Sequence, residues 1–252
     1  PNATDLYTYD PLTTGDVLAL ELEHGESRWK STLGGPAANA AATDATTLYF
    51  ALDDGRVVAL RAADGSRAWE QRLGGRPTGL TVSAARLYVG ALDNFFYGLE
   101  SSTGRVRWRW RTGGDIAGAA AVDEARVYFS SLDNLLRALD RNTGVQRWKL
   151  ALTARPLVGP LLVANSLVLA GQSPEVQAVG ADTGKPAGRY GLDADPGTGP
   201  VFVPGSWAGE DLLAVPTAEG HLVLIGRRLS PSVTTPTGLP GTPVPVTVTP
   251  LP

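Results

Sequence analysis

The chain has 252 residues with no cysteine, no methionine and only two histidines, His24 and His221. Lacking cysteine, it has no disulfide, no thiolate metal site and no cysteine nucleophile. It also lacks any apolar run of about 18 residues, so no membrane span is expected within it, and any anchor would lie outside this chain. Strong charge of one sign is missing as well. The net charge is −3, with arginine and lysine spread along the chain, whereas binding phosphates by counterion release needs a concentrated basic surface. No nucleic-acid partner is therefore expected. Equally absent are a glycine loop ending in Lys-Ser or Lys-Thr, a His-Glu-x-x-His zinc motif and a Gly-x-Ser-x-Gly nucleophile turn. Because the sequence starts at Pro1 and contains no methionine, we expect something upstream of it: a signal or anchor segment, or further repeats.

What the chain does have is an internal repeat. Trp29, Trp69, Trp108 and Trp148 each stand four residues after a glycine, in a segment that recurs about every forty residues. Periods of this size mark solenoids, propellers or arrays. Within one unit, short β-branched or alternating runs are separated by turn residues, the pattern of antiparallel sheet. Residues 76–112 serve as the type unit, with strands expected at Thr78–Ser83, Arg86–Ala91, Phe95–Glu100 and Arg105–Arg111. Asp93-Asn94 and Thr103-Gly104 supply the turns, where asparagine and glycine tolerate positive φ.

Six units follow from this register. First strands are expected near 38–43, 78–83, 117–122, 157–163 and 199–203, so the first unit lacks its first strand. The last unit lacks its fourth, and Lys185–Tyr190 is the weakest fourth strand of the rest. A four-stranded sheet cannot bury both faces alone, so the sheets must stack, and radial stacking gives a β-propeller. The expected fold is all-β: about six four-stranded antiparallel blades over residues 1–229, complete or part of a seven- or eight-bladed ring. Residues 230–252 are rich in proline and threonine and read as an extended linker. The alternation of Val244, Val246 and Val248 leaves an edge strand over 242–249 as the other reading, with Pro245 confining it to an edge.

The repeated string of small residue, leucine, Thr-Gly or Asp-Gly turn and tryptophan resembles the tryptophan-docking motif of PQQ-like β-propeller repeats. Its fullest copy runs from Ala138 to Trp148, and the resemblance covers about residues 6–228. It implies that Trp29, Trp69, Trp108 and Trp148 are structural, each packing between neighbouring blades with its indole N–H on backbone. In the fifth copy Gly188 replaces tryptophan, so docking there is expected to be weakest, with Tyr190 as a partial substitute. The family also includes quinoprotein dehydrogenases, which hold PQQ and calcium, and BamB-like envelope lipoproteins. A dehydrogenase of this kind often uses a disulfide of adjacent cysteines as a ceiling for the quinone, and this chain has no cysteine. No catalytic, cofactor-binding or metal-binding residue is assigned, so PQQ and calcium enter by resemblance only.

Candidate contact residues lie where the repeat breaks. The connections Gly34-Gly35-Pro36, Gly74-Gly75-Arg76, Gly113-Gly114-Asp115 and Ala154-Arg155-Pro156 are expected to share a backbone shape but carry different tips. Arg76, Asp115 and Arg155 are therefore candidates for binding a partner. Asp93 and Asp133, with Asp53, Asp54, Asn94 and Asn134, recur in the hairpins on the same face and read first as turn caps. The Phe95-Phe96-Tyr97 cluster and Trp207, in its Gly-Ser-Trp-Ala-Gly loop, are candidate apolar contacts. The function expected is a non-catalytic, monomeric scaffold that binds a protein partner outside the cytoplasm, in the periplasm or at the cell surface. A ligand-sensing domain of a membrane or signalling protein and a PQQ-dependent dehydrogenase are the alternatives.

Overall fold

The computed structural model describes residues 5–9, 15–38, 41–207, 210–226 and 246–250. Every regular element among them is a β-strand, and the strands form six sheets. The chain divides into two compact units, Pro1–Lys149 and Leu150–Pro252.

In the first unit, β1 (Asp5–Tyr9), β2 (Asp16–Glu21) and β3 (Ser27–Thr32) form a three-stranded sheet. Three four-stranded sheets follow. They comprise β4 (Ala42–Thr43), β5 (Thr47–Ala51), β6 (Arg56–Arg61) and β7 (Arg67–Arg72); β8 (Pro77–Ser83), β9 (Arg86–Ala91), β10 (Phe95–Glu100) and β11 (Val106–Arg111); and β12 (Ala121–Val122), β13 (Arg126–Ser131), β14 (Leu135–Asp140) and β15 (Gln146–Ala151). The second unit carries β16 (Leu161–Val163), β17 (Ser166–Ala170), β18 (Glu175–Gly180) and β19 (Pro186–Gly191), then β20 (Val201–Trp207), β21 (Glu210–Pro216), β22 (Leu222–Gly226) and β23 (Val246–Pro250).

The expected turns form. Asn94 and Asn134 adopt φ of 62° and 59°, and Gly25, Gly65, Gly104 and Gly144 lie at 68–73°, a region that asparagine and glycine enter at least cost. Three of the expected first strands are shorter in the structure, with β4 and β12 reduced to two residues and β16 to three, whereas β8 and β20 run to seven. Ile116, Pro156 and Pro196 each make only an isolated bridge to the next strand. Between bridge and strand stand Gly118 at φ 70° and the prolines Pro160 and Pro200, which have no N–H to donate to a ladder. Val246–Pro250 does form an edge strand, but it runs parallel to β22, whereas the other sheets are antiparallel throughout. Residues 242–245 lie outside the described residues.

The core lies between sheets. Tyr49, Ala51, Val57 and Ala59 of one blade meet Leu80, Leu87, Val89, Tyr97 and Leu99 of the next. Tyr88 and Phe96 on the opposite face of that blade meet Val127, Phe129 and Leu139. In the second unit Val168, Val176 and Tyr190 meet Val215, Val223 and Ile225. Alternation along each strand thus sends one set of side chains forward and the other back, so an interior blade is apolar on both faces.

Candidate functional site

The tryptophans join blades within the first unit. Trp29 Nε1 donates to Ala62 O at 3.0 Å and Trp69 Nε1 to Ser101 O at 2.8 Å, in each case on the following sheet. The indoles also cover that sheet's turn glycine: a Cβ on Gly104 would lie 2.5 Å from Trp69 Cε3, and one on Gly144 2.7 Å from Trp108 Cδ2. Trp108 departs from the pattern. Its Nε1 is buried without a partner, and Tyr88 Oη donates instead to the carbonyl of Arg141 on the next sheet, at 3.1 Å. The ring of Trp108 fills the space over Gly98, where the other sheets place Ala19, Ala59 and Ala138. Phe96, a larger residue than Val57 or Leu136 at the same register, packs 6.0 Å from Trp108. The added volume at one position is offset by the missing methyl at another.

The hairpin and connection residues come together as expected within the first unit. Each Gly-Gly connection passes beneath the hairpin of the blade it enters: a Cβ on Gly75 would lie 2.8 Å from Asp93 N, and one on Gly114 2.9 Å from Asp133 N. The residue at the tip is then held by its carbonyl. Pro36 O accepts from Asp53 N, Arg76 O from Leu92 N and Asp115 O from Leu132 N, at 2.8–3.1 Å. In the second unit Arg155 O accepts from Gln172 N at 2.9 Å. The main chain carries the fold at these positions, which leaves the side chains free to differ.

Those side chains differ in their engagement. Arg76 Nε donates to Asp53 Oδ1 at 2.5 Å, bridging to the preceding blade, with both side chains nearly half exposed. Asp115 is partly exposed and Arg155 exposed, and neither side chain has a hydrogen bond or ion pair among the described residues. Asp93 and Asp133 are bound mainly inside their own blades. Asp93 accepts from Phe95 N and from Tyr97 Oη; burial, and then that carboxylate, push the Tyr97 phenol up to about 12. Asp133 accepts from Ser131 Oγ, from Arg137 Nη1 and Nη2, and from Gly113 N at 3.0 Å. Burial disfavours its charge, but these donors, led by Arg137, outweigh that and hold the carboxyl down at about 2.

Sequence reasoning missed Arg56 and Arg137, which replace solvent contact with fixed partners. Arg56 reaches Asp54 Oδ2, Glu70 and, at 2.9 Å, Gly34 O. Arg137 is 7% exposed, at the register of Val58 and Tyr97, where a charged residue was itself the signal. The aromatic cluster is corrected. Phe96 stacks on Phe129 with centroids 4.0 Å apart, Tyr97 is buried, and Phe95 lies under Arg109, so the alternation of β10 spends all three on packing rather than on a free apolar face. Trp207 ends β20, and its side chain lies outside the described residues. No three His, Asp or Glu side chains are grouped as metal ligands among the described residues.

Comparison with known proteins places this architecture. BamB from Moraxella catarrhalis superposes with a TM-score of 0.70 at 20% identity, over 88% of this chain and 70% of that one. The computationally designed Ika8 protein gives 0.76 at 13% identity over 88% and 68%. BBS1N, solved in complex with ARL6DN, gives 0.67 at 15% over 85% and 72%. At these identities the likeness shows the fold alone. No curated protein matches the chain significantly. A family model described as outer membrane protein assembly factor BamB matches residues 13–94 and 53–227. The chain thus belongs to the BamB-type family of PQQ-like β-propeller proteins.

Proposed function

We propose that this chain is a non-catalytic scaffold that binds a protein partner outside the cytoplasm through its hairpins and blade connections. One observation carries the reading: the connection tips are fixed by their carbonyls while their side chains vary and, at Asp115 and Arg155, remain unengaged. A backbone locked in register with a variable polar tip is the arrangement expected of a binding loop on a rigid frame. The family supports the same reading.

The reading assigns no calcium to the hairpins. The hairpin carboxylates are turned inward, Asp93 to Tyr97 and Asp133 to Arg137, and a carboxylate neutralised by an arginine is a poor ligand for a cation.

A photo-crosslinker placed at Asp115 tests the reading in the organism of origin. It is expected to trap one partner, identified by mass spectrometry. Asp115→Lys should weaken capture of that same protein by about tenfold or more, as rim charges do at an interface, with the melting temperature retained. Capture that is unchanged by this reversal would place the binding face elsewhere.

A further inference from the structure

The outer strand β11 and the residue before it carry cations that the loop-face reading does not use. Arg105, Arg107, Arg109 and Arg111 alternate along Arg-Val-Arg-Trp-Arg-Trp-Arg, and all four are exposed. Arg109 and Arg111 are alternate residues on one face, about 6.7 Å apart, while the register shift that sets Val106 opposite Leu99 and Trp108 opposite Gly98 interrupts the alternation at Arg107. On the opposite face Trp108 and Trp110 pack into the core. The strand is therefore anchored by its tryptophans and presents its arginines.

Little neutralises this row. Arg107 reaches Glu100 at 3.2 Å and Arg109 lies 4.8 Å from the centroid of Phe95. The side chains of Arg105 and Arg111 make no hydrogen bond or ion pair among the described residues. Residues 76–112 hold six arginines against two carboxylates, in a chain of net charge −3. The other outer strands of the first unit have their own counter-charges: Lys30 pairs with Asp16 at 2.6 Å, Arg67 with Glu70 at 2.6 Å and Arg147 with Asp140 at 2.6 Å.

β11 is also the terminal strand of its sheet, so among the described residues no strand pairs with its outward edge. An exposed edge is a template for strand addition, and proteins protect such edges with like charge. Four arginines repel a second copy of the same strand and attract an acidic one. In the last sheet the outer, fourth place is taken by β23, a later segment of the chain, so pairing at an outer edge of this fold does not require a hairpin connection.

We propose that β11 binds an acidic, extended segment of a partner protein as an added strand, with alternate Asp or Glu residues facing Arg109 and Arg111 and further carboxylates reaching Arg107 and Arg105 beyond the bulge. Main-chain hydrogen bonds along the edge supply affinity and the alternating charges set register. This surface is distinct from the blade connections, and neither proposal depends on the other.

The probe is a fluorescein-labelled peptide of about nine residues alternating threonine and glutamate, long enough to span the strand, titrated with the whole chain at low salt and followed by fluorescence anisotropy. Saturable binding is expected. Arg105→Glu with Arg111→Glu, at side chains with no contacts to lose, should weaken it by about tenfold or more, while Lys149→Glu on β15 leaves it unchanged. The same peptide N-methylated at alternate residues keeps its charge but cannot pair, and should lose binding. Three results would overturn the proposal: no saturable binding, equal binding of the N-methylated peptide, or tighter binding of an oligothymidylate of matched charge. The last would assign the row to nucleic acid. None of them bears on Asp115, whose crosslinking reads the blade connection instead.

Discussion

The indole of Trp69 lies so close over Gly104 of the next blade that a Cβ on the glycine would sit 2.5 Å from Cε3. Two constraints coincide at this glycine: the left-handed backbone, with φ of 73°, and the ring above it. Gly104→Ala should therefore cost the left-handed penalty of about 1–2 kcal/mol plus about 1–3 kcal/mol for overpacking. Gly25 has nearly the same φ, 70°, but nothing within 4 Å of its would-be Cβ, so Gly25→Ala should show the first penalty alone. Urea denaturation of both variants checks this; equal losses would mean that the tryptophan adds no constraint.

Trp69 and Trp108 occupy the same repeat position with different hydrogen bonding. Trp69→Phe removes a 2.8 Å bond to Ser101 O, whereas the buried Nε1 of Trp108 has no partner to lose. Replacing each by phenylalanine should leave Trp69→Phe the costlier by about 1 kcal/mol, the net worth of one hydrogen bond. A larger loss at Trp108 in the same denaturation series would show that its indole is bonded in solution.

The blade register was legible because the docking motif acts locally and repeats: the glycine, the turn and the tryptophan fall within one hairpin, and four copies agree on their spacing. The hairpin turns were legible for the same reason, since asparagine or glycine at positive φ is a single-residue requirement. The commitment of Asp133 to Arg137 was not, because it depends on which strand residue faces inward beneath the hairpin, and Val58, Tyr97 and Arg137 share that register with unlike chemistry. The shortness of β12 and β16 was missed because pairing there is limited by Gly118 and Pro160, while the apolar pattern runs on through them. Among the candidate contacts, the equivalence of Arg76, Asp115 and Arg155 was visible in the spacing. Their difference in engagement depends on Asp53, a residue of a neighbouring blade.

The Asp133–Arg137 pair makes acid stability predictable in sign. The Asp133 carboxyl is held down at about 2, below its unfolded value of about 3.9. Its contribution is therefore complete above the unfolded value and is lost as pH falls through the folded one. A difference of this size corresponds to about 2 kcal/mol, lost between roughly pH 4 and pH 2. Asp133→Asn should remove this component, so that the stability of the variant falls less steeply over that window in urea titrations. Arg137→Met should be more damaging than an exposed charge deletion, by about 3–5 kcal/mol, because it leaves a largely buried carboxylate without its counter-charge.

Gly188 stands where four other blades have a docking tryptophan, and its surroundings differ from theirs. A Cβ there meets nothing within 4 Å, and Gly188 pairs with Ala178 in the antiparallel ladder, beside the register shift at Ala178/Val179. A glycine inside a strand costs backbone entropy without providing packing, about 0.5–1 kcal/mol relative to alanine. At Gly104 the added methyl is expected to clash, whereas at Gly188 it enters open space on an extended backbone. Gly188→Ala should therefore raise stability by about that amount, seen as a higher urea midpoint at unchanged slope. A lower midpoint would mean that the open space at Gly188 is filled in solution by a group that the methyl displaces.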